Sequence, residues 1–323
     1  MDKARFILQR LLRGLTLLLG LSVLSFTLMY NSPIDPITAY LGGEVSVTKE
    51  QHQALRVQWG LDQPFHIQYY SWLKHLLQGD LGYSKLHHKP VSTIISERFI
   101  ASIFLMGPAW ILSGCLGFIL GSLAAMHRGK LLDKIITWFA YFQASVPTFW
   151  LGLMLLIIFS VWLRWLPIGI SVPIGLSREE VTLGDRFYHL LLPLATLSII
   201  GIANTTMHTR EKMLFVLSSE YVLFAKARGE SQWQIIFNHG IRNALAPVIT
   251  LQFAYFGELF GGSVLAEQVF SYPGLGSTLT EAGLKGDLPL LMGIVLISAI
   301  FVFSGNMLGD IVNALINPRL KEA

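Results

Sequence analysis

The chain has 323 residues, of which 53% are hydrophobic and 14% charged, with a formal net charge of +4 and a mean hydropathy of +0.54. Such a composition excludes a disordered chain and argues against an ordinary soluble enzyme, whose surface carries more charge. The single cysteine, Cys115, cannot close an intrachain disulfide, so the fold holds without covalent staples.

In chain order, six charge-poor stretches reach the roughly 20 residues that a helix needs to cross about 30 Å of hydrocarbon. The first, 14–30, follows a basic collar of Arg5, Arg10 and Arg13. It is long for a signal-peptide core and ends in Met29-Tyr30-Asn31-Ser32-Pro33, not a small-x-small cleavage site, so it is read as retained. Residues 31–99 are polar, aromatic and broken by Pro33, Pro36, Gly60, Pro64, Gly79 and Pro90, which predicts a small packed cap of short helices. The second and third stretches, 100–126 and 135–163, form a tight hairpin around the basic turn HRGKLLDK. The remaining three are 187–209, 246–265 and 288–309. Open irregular backbone cannot face lipid, and the alternation of barrel strands is absent. The expected fold class is therefore an all-α membrane protein with six transmembrane helices.

Orientation follows from the basic residues. Of the 24 Lys and Arg, fourteen fall in about 68 residues on one side of this arrangement and ten in about 114 residues on the other. The denser side holds the N-terminus, the 127–134 turn, the 210–246 loop and the tail, and it is placed in the cytoplasm with both termini. The excess positive charge then needs no nucleic acid to explain it.

Catalytic constellations are missing. There is no HExxH, Gly-x-Ser-x-Gly or CxxC, and Gly129-Lys130 lacks both the upstream glycine and the following Ser or Thr of a phosphate loop, so no ATP hydrolysis is expected from this chain. His52, His66, His75, His87 and His88 in the cap lack i, i+4 partners, and no metal site is assigned to them.

The 210–246 loop reads as two short helices. Ser218 or Ser219 is available to cap the first and Gly229 follows its end, where a left-handed residue costs least. Ser231 with Gln234 forms a capping-box pattern for the second, whose Trp233, Ile236 and Phe237 fall at i, i+3 and i+4 on one apolar face, with Gly240 as its stop. That face either lies against the protein's own helices or fits a groove on a partner. Polar groups inside spans are expensive, which singles out Gln143, Ser145, Asn204, His208, Glu258, Asn306 and Asp310 as candidates for a path, against the plainer alternative of helix-to-helix hydrogen bonds. Pro147 removes a backbone hydrogen bond in mid-span and is expected to bend the third helix beside the path. Glu258, halfway along the fifth span, needs a cation, a proton or a polar cavity, and suits a divalent metal, a metal chelate or a peptide amino terminus.

The runs YVLFAKARG and HGIRNALAP resemble the "EAA-type" loop of permeases of ATP-binding-cassette importers, in the branch serving peptides and nickel. Ala225, Lys226, Ala227, Arg228, Gly229, His239, Arg242, Asn243, Ala244, Leu245 and Pro247 match that pattern, while Gly240 and Ala246 depart from the usual Ala and Leu. GLDQPFHIQYYSWLKHLLQGDLGYS, SVPTFWLGL, GGSVLAEQVFSYPGLG and NALINPRLKE are similar to further family segments, in the same order and over nearly the whole chain.

The resemblance implies a type I importer permease fold with residues 100–312 as its core, preceded by the collar and first helix (1–30) and the extracytoplasmic cap (31–99) and followed by a tail (313–323). It implies that the helix around 231–238 is a coupling helix on an ATPase subunit, with Ala225, Ala227, Arg228, Gly229, Ser231, Trp233, Ile236, Phe237, His239, Arg242, Asn243 and Pro247 as the coupling set. The partners implied are a second homologous permease, two ATP-binding cassette subunits that use ATP and magnesium, and an extracytoplasmic binding protein, with no cofactor in this chain, in a bacterial inner membrane. GELFGGSV and NALINPR lean toward nickel or metal-chelate uptake, with di- or oligopeptide import as the alternative. An intramembrane enzyme using Glu258 or His208 lacks a second catalytic partner, and a receptor or scaffold is the remaining class.

Overall fold

The computed structural model describes residues 3–33, 35–41, 48–173 and 180–316, and among them the chain is almost wholly helical. Its elements in order are α1 (Lys3–Tyr30), α2 (Pro36–Leu41), α3 (Lys49–Gln58), α4 (Phe65–Leu77), β1 (Tyr83–Ser84), β2 (Lys89–Pro90), α5 (Val91–Met126), α6 (Leu131–Ala144), α7 (Thr148–Leu156), α8 (Leu183–Leu217), α9 (Glu220–Ala227), α10 (Gln232–Ile235), α11 (Arg242–Ala254), α12 (Phe256–Val269), α13 (Leu275–Leu284) and α14 (Leu288–Ile316). Four helices, α1, α5, α8 and α14, are long and apolar enough to cross a membrane alone. Two more crossings arise if α6 with α7, which a wide i→i+5 turn continues over Ile157–Trp162, and α11 with α12, each count as one bent span.

A bend in the third span is expected from Pro147, though as a kink in a continuous helix; the bend in the fifth corrects the expectation of an unbroken span. The third is broken by 105°. Pro147 does not kink a continuous helix but stands as the N-cap of α7 with ψ 140, so the chain stops at Ala144 and restarts at Thr148. Proline drives its predecessor out of the helical region and fits the start of a helix, where its missing N–H has no partner to lose. The fifth span bends by 50° at Tyr255 without any proline. Here the cause is tertiary. The Phe256 ring lies where a Cβ on Gly305 would be, 2.2 Å from it, and Phe253 occupies the same relation to Gly309 at 2.6 Å. Two aromatic side chains flanking the bend are thus seated on glycines one turn apart on α14.

The chain divides into two compact units. In the unit of Ser102–Pro273 and the residues from Val302 onward, α8 is the hub and packs against α6, α7, α11 and α12. Its start is legible locally: Thr182 and Asp185 exchange hydrogen bonds in a capping box. Small residues let helices approach closely where apolar solvent gives no driving force for association. A Cβ on Gly121 of α5 would stand 2.5 Å from Thr206 O and 2.6 Å from Thr209 Cβ of α8, and one on Gly117 2.5 Å from Thr205 Cβ. Gly121→Leu is therefore expected to force the two backbones apart, at a cost of about 3 kcal/mol or more. The check is the yield of monodisperse protein after detergent extraction, and wild-type yield and melting would refute the close packing.

One buried charge pair belongs to this unit. Asp133, 4% exposed, accepts from Arg210 Nε (2.6 Å) and Nη2 (2.9 Å), from the Gly129 N–H (2.8 Å) and from the Thr137 hydroxyl (3.2 Å). A single carboxylate thereby ties the turn between α5 and α6 to α8.

The second unit comprises the residues up to Ala101 and Gly274–Phe301. Its core joins Val91, Ile94 and Ile95 of α5 to Leu275 and Ala282 of α13 and Leu290 and Ile294 of α14. The cap between α1 and α5 consists of α2 to α4 and the β1–β2 hairpin, yet neither α3 nor α4 buries a residue. It packs instead through rings: Phe26 of α1 meets Phe65 and Tyr69 edge-on at 5.4 Å, and Ser22 hydrogen-bonds the Tyr69 hydroxyl at 2.8 Å. Asp287 anchors the hairpin, accepting from Ser84 Oγ (2.6 Å) and Leu86 N (3.0 Å). His52 is paired with Asp35 at 2.8 Å, and among the described residues no group of three or more His, Cys, Asp or Glu is placed to hold a metal ion.

Candidate functional site

Both broken spans restart at one cavity of about 190 Å³, whose lining includes Ser113 of α5, Thr148 at the start of α7, Asn204 of α8, Gln252 of α11, Tyr255 at the bend, and Glu258 in the first turn of α12. Non-helical backbone at membrane depth is tolerated where it lines a polar space that satisfies its freed groups.

Of the path candidates, Asn204 and Glu258 are brought together here. Ser145 and Pro147 form the break just before Thr148, and His208 reaches the lining indirectly, through a 2.8 Å hydrogen bond between Nε2 and the Tyr255 hydroxyl. Gln143 is buried, and Asn306 exposed, away from the lining. Asp310 is half-buried on α14 and is not part of it either.

Gln252 is the residue sequence reasoning passed over, although it meets the same test of a costly polar group inside a span. Its Nε2 donates to Trp110 O (2.8 Å) and Ser113 Oγ (3.1 Å), its Oε1 accepts from Thr205 Oγ1 (2.8 Å), and its main-chain carbonyl accepts from the Trp110 indole N–H (3.1 Å). With its capacity so used, Gln252 braces α5, α8 and α11 into one wall. Among the described residues, Asn204 and Glu258 have no hydrogen-bond partner, and Glu258 is exposed to the cavity.

The loop between α8 and α11 is built largely as its sequence dictates. α9 ends at Arg228 in a Schellman arrangement, with Gly229 N–H donating to Lys226 O (3.0 Å), Glu230 N–H to Ala225 O (3.2 Å), and Gly229 at φ +86. Ser219 occupies the N-cap of α9, but its hydroxyl turns back to Val216 O. Ser231 caps α10 with the full reciprocal box to Gln234. Glu230 draws the loop together, lying 3.3 Å from Arg228 and 3.2 Å from His239.

Two expectations fail. Gly240 does not stop the second helix: α10 opens into a wide i→i+5 turn over Ile236–Ile241 and runs directly into α11. Gly240 is buried, and a Cβ there would meet Met213 Sδ at 2.9 Å, so the glycine serves a close approach to α8. Nor do Trp233, Ile236 and Phe237 share a face. Ile236 is buried, as is its neighbour Ile235, which packs with Val216, Val222 and Ala225, while Trp233 and Phe237 stand 57% and 63% exposed with rings stacked at 6.3 Å. The wider turn changes the angular step per residue, and the α-helical spacing assumed from sequence no longer holds. Ala227, Arg228, Gly229 and Ser231 are exposed, Asn243 donates to His239 O (2.7 Å), and Pro247 is half-buried within α11. The Arg242 side chain lies outside the described residues.

Residues 117–322 match the family described as binding-protein-dependent transport system inner membrane component, and residues 3–106 match the N-terminal region of such components. The oligopeptide transport system permease protein AppB of Bacillus subtilis is 35% identical over 319 residues, covering 98% of this chain and 99% of that protein. A putative peptide permease of Brucella suis is 36% identical over 318 residues (98% and 99%), and the glutathione transport system permease protein GsiC of Salmonella typhimurium is 34% identical over 317 (98% and 98%). Among solved structures, a chain of the MetNI methionine ABC transporter in inward-facing conformations aligns with a TM-score of 0.57 and 15% identity, over 70% of this chain and 97% of that one. That likeness concerns the fold, which is the all-α type I importer permease fold. The chain belongs to the binding-protein-dependent transport system inner membrane component family and is a multi-pass membrane permease subunit of an ABC importer.

Proposed function

We propose that this permease carries peptides across the inner membrane, in a complex with a second homologous permease, two ATPase subunits that use ATP and magnesium, and an extracytoplasmic binding protein. The observation that carries the solute assignment is full-length similarity to permeases named for oligopeptides, peptides and glutathione. This moves the preference from nickel or a metal chelate, toward which the GELFGGSV and NALINPR segments lean, to the peptide alternative.

The cavity is compatible with that solute. Glu258 is free to pair with a peptide amino terminus and Asn204 to bond an amide, whereas Gln252 is already engaged and holds the wall. About 190 Å³ is small beside the ~300–1,000 Å³ of typical ligand sites. On this reading the chain supplies one side of the path and the companion permease the other. Both termini and the 210–246 loop face the cytoplasm, where Trp233 and Phe237 seat in a cleft of the ATPase and Gly229 permits the turn between the two loop helices. The chain itself performs no chemistry, and its cycle is driven by rigid-body movement passed up from the ATPases.

The test is uptake of labelled dipeptide and of nickel in a strain lacking this chain, with copurification from the complemented strain. Dipeptide uptake is expected to disappear, nickel uptake to persist, and tagged protein to bring down a second permease and an ATPase. Complementation by Glu258→Gln is expected to restore roughly a tenth or less of the uptake, the loss of one charge-assisted contact. Persistent dipeptide uptake in the deletion strain would sink the assignment.

A further inference from the structure

The unit that contains the polar cavity has a second opening, of about 500 Å³, between the ends of α5 and α8 and the loop helices α9 and α10. Its floor is apolar, built from residues such as Ala125, Leu217 and Ile235, and its rim carries two cations, Arg128 from the turn after α5 and Lys226 from the last turn of α9. Among the described residues neither cation has an acidic partner. Glu230, the one carboxylate on the lining, is engaged by Arg228 and His239 at 3.3 and 3.2 Å. The rim is also held in place, since Gln232 Nε2 donates to Met126 O at 2.9 Å and joins the start of α10 to the end of α5.

An apolar floor under two uncompensated cations, at the ends of two membrane-crossing helices, matches an amphipathic anion. Phosphate oxygens answer the guanidinium and ammonium, and glycerol and upper acyl carbons answer the floor. We propose that this cavity binds the headgroup of an anionic phospholipid from the adjoining leaflet, which is the cytoplasmic leaflet in the orientation given above. A soluble phosphate shares the headgroup's chemistry but leaves the floor uncovered. The bound lipid bridges α5, α8 and the loop, so the site is sensitive to membrane composition at the point where the loop meets the helices. The inference does not depend on which solute is carried.

The experiment is native mass spectrometry of the full chain in detergent, titrated with phosphatidylglycerol, with phosphatidylcholine, and with phosphatidylglycerol in the presence of excess inorganic phosphate. Phosphatidylglycerol is expected to bind roughly tenfold or more tightly than phosphatidylcholine, and the Arg128→Gln, Lys226→Gln double variant to lose that preference, while Arg128→Lys with Lys226→Arg keeps it. Both positions are exposed, so the double variant is expected to keep wild-type elution and helical content. Ser218→Trp, which fills the opening without removing charge, is expected to weaken phosphatidylglycerol binding to the same degree. Unchanged preference in the double variant, equal binding of both lipids, or displacement of phosphatidylglycerol by inorganic phosphate would overturn the lipid assignment.

Discussion

Alanine in place of both Trp233 and Phe237 is expected to stop solute uptake while leaving the chain folded and inserted. Their rings are more than half exposed and stack on each other, so the loop's own core loses nothing when they are cut back. That core consists of Val216, Val222, Ala225 and Ile235, and exposed truncations of this kind change stability by only about 0.5 kcal/mol. In a cleft the arithmetic differs. Aromatic anchors at the centre of an interface are each worth about 2 kcal/mol or more, so if the pair seats in the ATPase as proposed, losing both is expected to weaken attachment by roughly three orders of magnitude. The readouts are membrane abundance, copurifying ATPase and peptide uptake. Normal abundance with lost attachment is the expected pattern, and wild-type uptake would mean that the exposed pair meets no partner.

The second large effect concerns folding rather than coupling. Asp133→Asn is expected to lower the melting temperature of the purified protein by several degrees and to reduce its level in the membrane. The substitution leaves Arg210, whose side chain is only 24% exposed, without its counter-charge, and turns an amide nitrogen toward either the guanidinium or the Gly129 N–H. Breaking a buried pair on one side costs about 3 kcal/mol, the lower end applying because Arg210 keeps some water. A double replacement, Asp133→Leu with Arg210→Met, removes both desolvated charges and is expected to recover most of the loss. If the single variant melts like the wild type, the pair does not hold the α5–α6 turn to α8.

Much of this architecture is legible in the residues, for identifiable reasons. The spans are visible because lipid enforces length and excludes charge, and the loop helices because Gly229, Ser231 and Gln234 obey local capping chemistry. The bends are visible only in part. Pro147 marks the first, though as a helix start and not a kink. Nothing local marks Tyr255, because its bend is imposed by Phe253 and Phe256 settling on Gly309 and Gly305, some fifty residues away. The same limit applies to the cavity. Glu258 stands out as an acid in a span, but its juxtaposition with Asn204, and the bracing role of Gln252, emerge only once α5, α8 and α11 are packed. Asp133 reads as one more charge in a basic turn until Arg210 is brought to it from 77 residues away.

The helical backbone from Gln232 through the wide turn to Ala254 has a mechanical consequence. Twenty-three residues at about 1.5 Å each make an arm of ~34 Å, with the exposed Trp233 near one end and Tyr255 and the cavity at the other. Leverage along such an arm, if it moves as one piece, would convert a tilt of ~5° at the loop into a displacement of ~3 Å at the far end. That distance is on the scale of one hydrogen bond, enough to make or break a contact at Glu258 without any helix having to unwind. The bend at Tyr255 marks where the arm ends, so that a shift of α11 together with the α5 and α8 wall to which Gln252 ties it need not carry α12 along.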